Sequence, residues 1–443
     1  MGLLHLLLAA LLSGSLLAGT ITQKDIDEQN RMVQPIPPSA DEKIDDWAER
    51  FKERLGISDF GEINGKIFYY AQEPVSLPAT DPQFGTALLN AYDKAMLSIY
   101  EQYAMDMYGR IFSEELRKFF QDSSTNAAQI ELPQHYNATF FGKLLAVLDK
   151  QLEVASKELD QKLVKLGVDP SQLKSLTPKA KKDLFKDSFI KRSIKRASGD
   201  ISGIFVVQSA YASDDKGNYV VGIIAVVSPK TKQIAKDIRY RRRSLIKGKG
   251  RDISKLIPQN PQALARTLGT RLAYDQKGRP AIISYGLSSY IPDKDSYINV
   301  RLKQDAIESA IASADAQIAM LVNGFLTTKE DKKRGEIINR YVERELKPNS
   351  ESIEKTIKNI INTTYKETKA SASMRLQGVS TAKKWRYTLP TGQKMVGAVR
   401  VWRYSTLEAV KRFKEGYRHS KKVAPKTKRD FQESEIVNDI NDF

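Results

Sequence analysis

Hydrophobic and polar positions along this chain follow one pattern that is written twice. Gly203 to Ile238 reads GIFVVQSAYASDDKGNYVVGIIAVVSPKTKQIAKDI. That is an apolar strand, a turn containing Gly217, a second apolar strand with Gly222 near its start, and a short helix. Gly378 to Phe413 repeats the order without a gap. Gly203 falls on Gly378, Gly217 on Gly392, Val221 on Val396, Gly222 on Gly397, Val226 on Val401, Thr231 on Thr406 and Lys236 on Lys411. A second block recurs upstream of each copy. The strand at Lys66 to Tyr70 matches Ala281 to Tyr285, and the helix from Phe84 to Phe112 matches Arg301 to Leu326. At one constant offset Ala91 falls on Ala306, Ala95 on Ala310, Ala104 on Ala319, Met105 on Met320 and Gly109 on Gly324. Two blocks in the same order point to duplication. Small residues at these helix positions let a helix lie close on a sheet.

Helical spacing accounts for most of what remains. Ile44, Trp47, Phe51 and Leu55 make one face of a helix from Glu42 to Leu55, with Gly56 to end it. The two copies carry different insertions. In the first, Phe140 to Leu166 and the Lys-rich Pro178 to Arg196 read as helices; in the second, Ile337 to Leu346 and Ile353 to Tyr365 do so, split by Pro348. These read as helical arms protruding from each module, which pack laterally in the ordinary way or pair with each other or with a partner. The fold expected is α+β: two tandem modules in the order strand, long helix, insertion, strand, strand, helix, each a small antiparallel sheet packed on helices.

The chain divides as follows. Residues 1–19 form an apolar leader, and 20–60 a linker and N-terminal helix. Residues 61–240 are the first module with its insertion at 113–200. A basic interdomain linker spans 241–279. The second module spans 280–415 with its insertion at 327–372, and 416–443 is a disordered, charged tail. The leader reads as a secretory signal peptide, although no Lys or Arg precedes its apolar core. Thr20 stands where a lipoprotein would carry cysteine, so no lipid is expected there. The expected location is periplasmic or secreted.

Composition narrows the chemistry. With 443 residues and 41% hydrophobic content, the chain can build real cores. Its formal net charge of +18 suggests an acidic partner or surface. No cysteine is present, which excludes disulfides, thiol catalysis and cysteine-bound zinc. The only histidines are His5, His135 and His419, too scattered for a metal cluster. The densest charge is RYRRRSLIKGKGR, where Arg239, Arg241, Arg242, Arg243, Lys247, Lys249 and Arg251 form a candidate anion-binding site. Gly248 and Gly250 lie too close together for a phosphate-binding Walker loop. No catalytic residue, cofactor or metal ligand is nominated.

The segments FYYAQEPVSLPATDPQFGTALLNAYDKAM, VVGIIAVVSPKTKQIAKDIR and LGTRLAYDQKGRPAIISYG, together with the leader, resemble an uncharacterised family of exported bacterial proteins that holds a domain of unknown function. The element order is also similar to the small module shared by the N-terminal domain of the flagellar ring protein FlgT and the secreted toxin Tip-alpha. That likeness implies a three-stranded antiparallel sheet backed by two helices, and a life in the cell envelope. The function expected is a non-enzymatic exported scaffold or interaction protein of the bacterial envelope. Its partners would be envelope proteins or itself, with nucleic acid disfavoured and the membrane touched only peripherally. The alternatives are a secreted module that binds an anionic polymer or lipid surface through the basic run, and an unrecognised hydrolase.

Overall fold

Period-2 and period-3.6 segments become strands and helices in the computed structural model, which describes residues 37–120, 139–154, 158–322, 328–371 and 377–414. The leader, most of the first linker, the charged tail and all three histidines lie outside the described residues. Eight strands among the described residues make two sheets. Strands β1 (Glu62–Ile63), β2 (Lys66–Pro74), β3 (Phe205–Ser213) and β4 (Tyr219–Val227) run antiparallel in the order β1-β2-β4-β3. Strands β5 (Gly269–Tyr274), β6 (Pro280–Tyr290), β7 (Val379–Thr388) and β8 (Lys394–Arg403) repeat this as β5-β6-β8-β7.

The repeat extends to register. Tyr69 opposes Ala225 and Ser284 opposes Arg400, the two pairs that the sequence alignments superpose. A bulge interrupts β3 between Val206 and Gln208, and β7 at the equivalent place between Thr381 and Lys383. The hairpin glycines Gly217 and Gly392 both take left-handed backbone, at φ 82° and 89°, which a side chain would resist. Each sheet exceeds the expected three strands by one edge strand. In the second sheet that strand, β5, belongs to the stretch 241–279 read as a linker.

Helix α1 (Ala40–Leu55) covers one face of the first sheet with Ile44, Ala48 and Phe51. Helix α2 (Phe84–Phe120) covers the other and runs eight residues past the expected end at Phe112. The extension belongs to the first insertion: α3 (Phe140–Val154), α4 (Leu159–Lys165), α5 (Pro170–Leu173) and α6 (Pro178–Ser198). There Phe119 and Phe120 meet Phe185 edge to face, with ring centroids 5.7 and 5.8 Å apart. Helix α7 (Pro229–Arg239) starts on a capping box between Ser228 and Thr231, with Pro229 in its first turn. Short helices α8 (Ile253–Leu256) and α9 (Pro261–Ala265) lead to β5. Helix α10 (Ser296–Leu321), which starts five residues before the expected Arg301, lies on β6 and β8. Helices α11 (Thr328–Arg344) and α12 (Ser350–Ser371) form the second insertion, and α13 (Tyr404–Lys414) follows β8.

The two insertions pair with each other. α12 packs on α2, α3, α6 and α10, and α11 packs on α6. Lys195 and Lys191 of α6 both reach Glu343 of α11, at 2.7 and 3.1 Å. One hydrophobic core, from Tyr69 and Ile99 to Ile283, Ile357 and Val401, runs through both modules and both insertions.

Candidate anion-binding site

The basic run leaves α7 through a tight turn. The N–H of Arg242 bonds the Asp237 carbonyl at 2.8 Å and that of Arg241 bonds Ile238 at 3.0 Å. This helix-ending pattern normally places glycine at the left-handed position, yet Arg241 occupies it with φ 52°. Beyond the turn the backbone is pinned as an extended ribbon. The Ser244 N–H donates to the Tyr404 hydroxyl at 3.1 Å, and that hydroxyl donates to the Arg242 carbonyl at 3.1 Å. Burial, above all, holds the Tyr404 phenol above its usual range. Farther on, the Gly248 N–H bonds Gly278 and the Arg251 N–H bonds Tyr274. Gly248 lies on the Tyr274 ring and Gly250 against the Gln276 carbonyl, where a β-carbon would overlap both. The two glycines therefore serve close backbone approach rather than a phosphate loop.

A pinned ribbon turns its side chains outward. Arg241, Arg242, Arg243, Lys247, Lys249 and Arg251 are exposed and Arg239 is half-buried. Between Asp237 and Asp252 there is no acidic residue. Arg242 stands 3.5 Å from Asp237. Tyr240, 54% exposed, is flanked by Arg239 and Arg242, with guanidinium carbons 5.5 and 5.3 Å from the ring centroid. Leu245 is 93% exposed between Arg243 and Lys247. The seven candidate residues thus follow one another from the end of α7 through the turn into the ribbon, and two of them, Lys249 and Arg251, line a pocket.

That pocket, about 370 Å³, opens beside the edge strand β5. Its walls include Leu256, Ile283 and Tyr285, and its third cation is Arg271. Pattern reading missed Arg271 because it stands apart from the charge run, in a short strand buried in the expected linker. The signal available was an arginine at the Arg271–Ala273 alternation of a strand paired to Ile283 and Ala281. Among the described residues its guanidinium donates to neutral acceptors: the carbonyls of Leu268 at 2.8 Å and Thr270 at 3.3 Å, and the Ser209 hydroxyl at 3.1 Å. Burial pushes its pKa down. Tyr274, also on the wall, buries a hydroxyl that has no partner among the described residues.

Other cavities fit less. Asp93, Tyr365 and Lys369 line a space of about 20 Å³, room for about one water. A pocket of about 460 Å³ near Arg239 and Arg334 carries the Asp200 carboxylate in its lining. An exposed apolar tip at Ile291, Tyr297, Ile298 and Val300 contains Asp293 and Asp295, which disfavours an anionic partner there. Among the described residues no group of His, Asp and Glu is arranged to hold a metal ion.

Comparison with known proteins agrees with this architecture. Residues 144–240 match a domain of unknown function, DUF6844. The matched stretch takes in most of α3, the helices to α6, strands β3 and β4, α7 and the first residue of the ribbon. In fold, the chain is similar to the hypothetical protein FTT1539c from Francisella tularensis, known from a 2.3 Å crystal structure. The TM-score is 0.51 at 22% identity, over 83% of this chain and 91% of that one. No curated protein matches the chain.

Proposed function

We propose that this chain is a non-enzymatic, peripherally attached protein of the bacterial cell envelope that docks on an anionic lipid surface through Arg239–Arg251. The observation that carries the reading is Leu245, 93% exposed in the middle of a ribbon of cations. Cations alone would suit any polyanion. A leucine held out among them suits an interface where the charges meet headgroups and the apolar side chain enters the acyl boundary. Arg241 adds support. Its left-handed backbone costs about 1 kcal/mol relative to glycine, and a surface that uses its charge offsets that cost. The apolar leader at 1–19 supports export. No described helix is long and apolar enough to cross a membrane, which fits attachment from one side.

Co-sedimentation with phosphatidylglycerol and phosphatidylcholine vesicles tests the reading. Binding is expected to phosphatidylglycerol only and to fall steeply with salt. At about 1 kcal/mol per cation, R241A/R242A/R243A should weaken it about a hundredfold. L245D should also weaken it, and R241G should do so while raising stability. Binding that ignores the triple substitution would remove the ribbon from consideration, and binding that ignores L245D would turn the partner into a polyanion. N-terminal sequencing of protein from the envelope fraction tests export: a start beyond Gly19 supports it, and an intact leader on cytoplasmic protein overturns it.

The scaffold reading draws on the exposed tip at Ile291, Tyr297, Ile298 and Val300. Light scattering decides it: an oligomer that Y297D/I298D returns to monomer supports assembly, and a monomeric wild type sets it aside.

A further inference from the structure

Arg271 is a cation at the seam of the two modules, and among the described residues no carboxylate faces it. Its neighbours explain its position but not its charge. It bridges β5 to Ser209 of β3 by neutral hydrogen bonds, and the nearby ionisable groups are the phenols of Tyr92 and Tyr285. Guanidinium stays charged in proteins, so partial burial without an anion leaves an electrostatic cost. An anion from outside the chain would remove that cost. Lys249 and Arg251 reach the same pocket from the ribbon, and neither is ion-paired to another described residue. Three cations from two elements, the ribbon and β5, thus meet at one concavity that no Asp or Glu lines. The rest of the wall is apolar or aromatic: Leu256, Ile283 and the ring of Tyr285. At about 370 Å³ the space falls within the range of small-ligand sites, about 300–1,000 Å³.

We propose that this pocket binds a small organic phosphate monoester, its phosphate between Arg271, Lys249 and Arg251 and its apolar body against Leu256 and Ile283. A phosphate suits the site better than a single carboxylate because it offers two negative charges and several acceptors to three separate donors. The same headgroup chemistry could arrive as a free phosphate ester or as a phosphatidic-acid-like lipid. The site shares Lys249 and Arg251 with the docking ribbon, but Arg241, Arg242 and Arg243 do not line it, so the two readings fail separately.

Calorimetric titration of the full chain with n-hexyl phosphate tests the proposal, with inorganic phosphate and hexanol as the head-only and body-only controls. Saturable binding of one n-hexyl phosphate per chain is expected, about tenfold or more tighter than inorganic phosphate. K249A/R251A changes two exposed side chains and should leave thermal unfolding unchanged while weakening binding about tenfold or more. R271M should abolish binding, and if it fails to fold, the rim pair still decides. R241A/R242A/R243A should leave this titration unchanged, which separates a failure here from a failure of the docking reading. Dihexanoyl phosphatidic acid that outcompetes n-hexyl phosphate assigns the site to a lipid headgroup; weaker competition assigns it to a free ester. No saturable binding of n-hexyl phosphate, or equal affinity in K249A/R251A, would overturn the proposal.

Discussion

The two modules share strand order, register and bulge, yet they close their sheets by different means. In the first, Tyr69 points from β2 toward α2 and donates to Asp106 at 2.9 Å, so a bulky phenol fills the space between helix and sheet. The equivalent position in the second module is Ser284, which donates to the Ala314 carbonyl at 2.8 Å. One residue pair along, Ala71 of the first module corresponds to Gly286, and a β-carbon at Gly286 would overlap the Ala310 carbonyl. The second helix therefore lies down on its sheet, and the first is held off by aromatic side chains. Cross-strand partners follow suit. Ala225 opposes Tyr69, whereas Arg400 opposes Ser284 and forms a two-pronged ion pair with Asp315 at 2.8 and 3.1 Å.

The opposite faces differ as well. Gly222 and Gly397 are equivalent, and a tryptophan covers each. Trp47 comes from α1, a separate helix, whereas Trp385 comes from the neighbouring strand and lies directly across Gly397. Among the described residues no counterpart of α1 covers the second sheet. Its far face meets the start of α2 and the connector with Leu264 and Leu268. The lesson is that duplication fixes backbone pairing more tightly than the way each sheet is buried. The copy closed by an irregular connector is also the one that holds the basic ribbon and the pocket.

The largest test of this contrast is the ion pair that only the second module has. D315A leaves the partly buried Arg400 guanidinium, 16% exposed, without its carboxylate and should cost about 2 kcal/mol in urea unfolding. D315L/R400A restores the apolar character of the first module and should recover most of it. A loss within experimental error for D315A would mean that water replaces the carboxylate on Arg400 at no cost. The next is G286A, which makes the second module locally like the first. It should cost about 2 kcal/mol, because α10 must lift off β6, while the reverse change A71G should cost about 1 kcal/mol by loosening the backbone alone. Equal effects would erase the difference in helix approach.

The smallest effect concerns the contact between insertions. Hydrogen bonds from Lys195 and Lys191 hold the Glu343 carboxyl below its usual range. A depressed folded-state pKa gives stability that is present above the unfolded value and lost as pH falls through the folded one. The α6–α11 contact should therefore loosen only in acid, below the usual glutamate pKa. Glu343 is half exposed, so the loss should be a few tenths of a kcal/mol. Hydrogen exchange of α11 at acid and neutral pH, with E343Q as the control, checks this. Protection that falls equally in E343Q would assign the acid response to another group.

Much of this architecture was legible in the residues. The duplication, the α+β class, the long helices and the charge run follow from period, glycine spacing and composition, which are local properties of the chain. The edge strands were not legible. β1 has two residues and β5 six, too short for alternation to separate them from loop. The far end of α2 was missed because Glu114, Arg117 and Lys118 break the apolar stripe, while Phe119 and Phe120 bury against Phe185 of α6, far along the chain in the same insertion.

By itself, the sequence determined that two copies of one strand–helix order exist and that a cationic segment joins them. Those features rest on side-chain type and spacing, which need no partner to be read. Only the tertiary structure decided that the insertions pair around α2, that one core spans both modules, and that Arg271 meets Lys249 and Arg251. Each of these depends on residues far apart in the chain meeting across packed elements. Chain periodicity carries no information about which buried cation will lack an anion until the fold has fixed its neighbours.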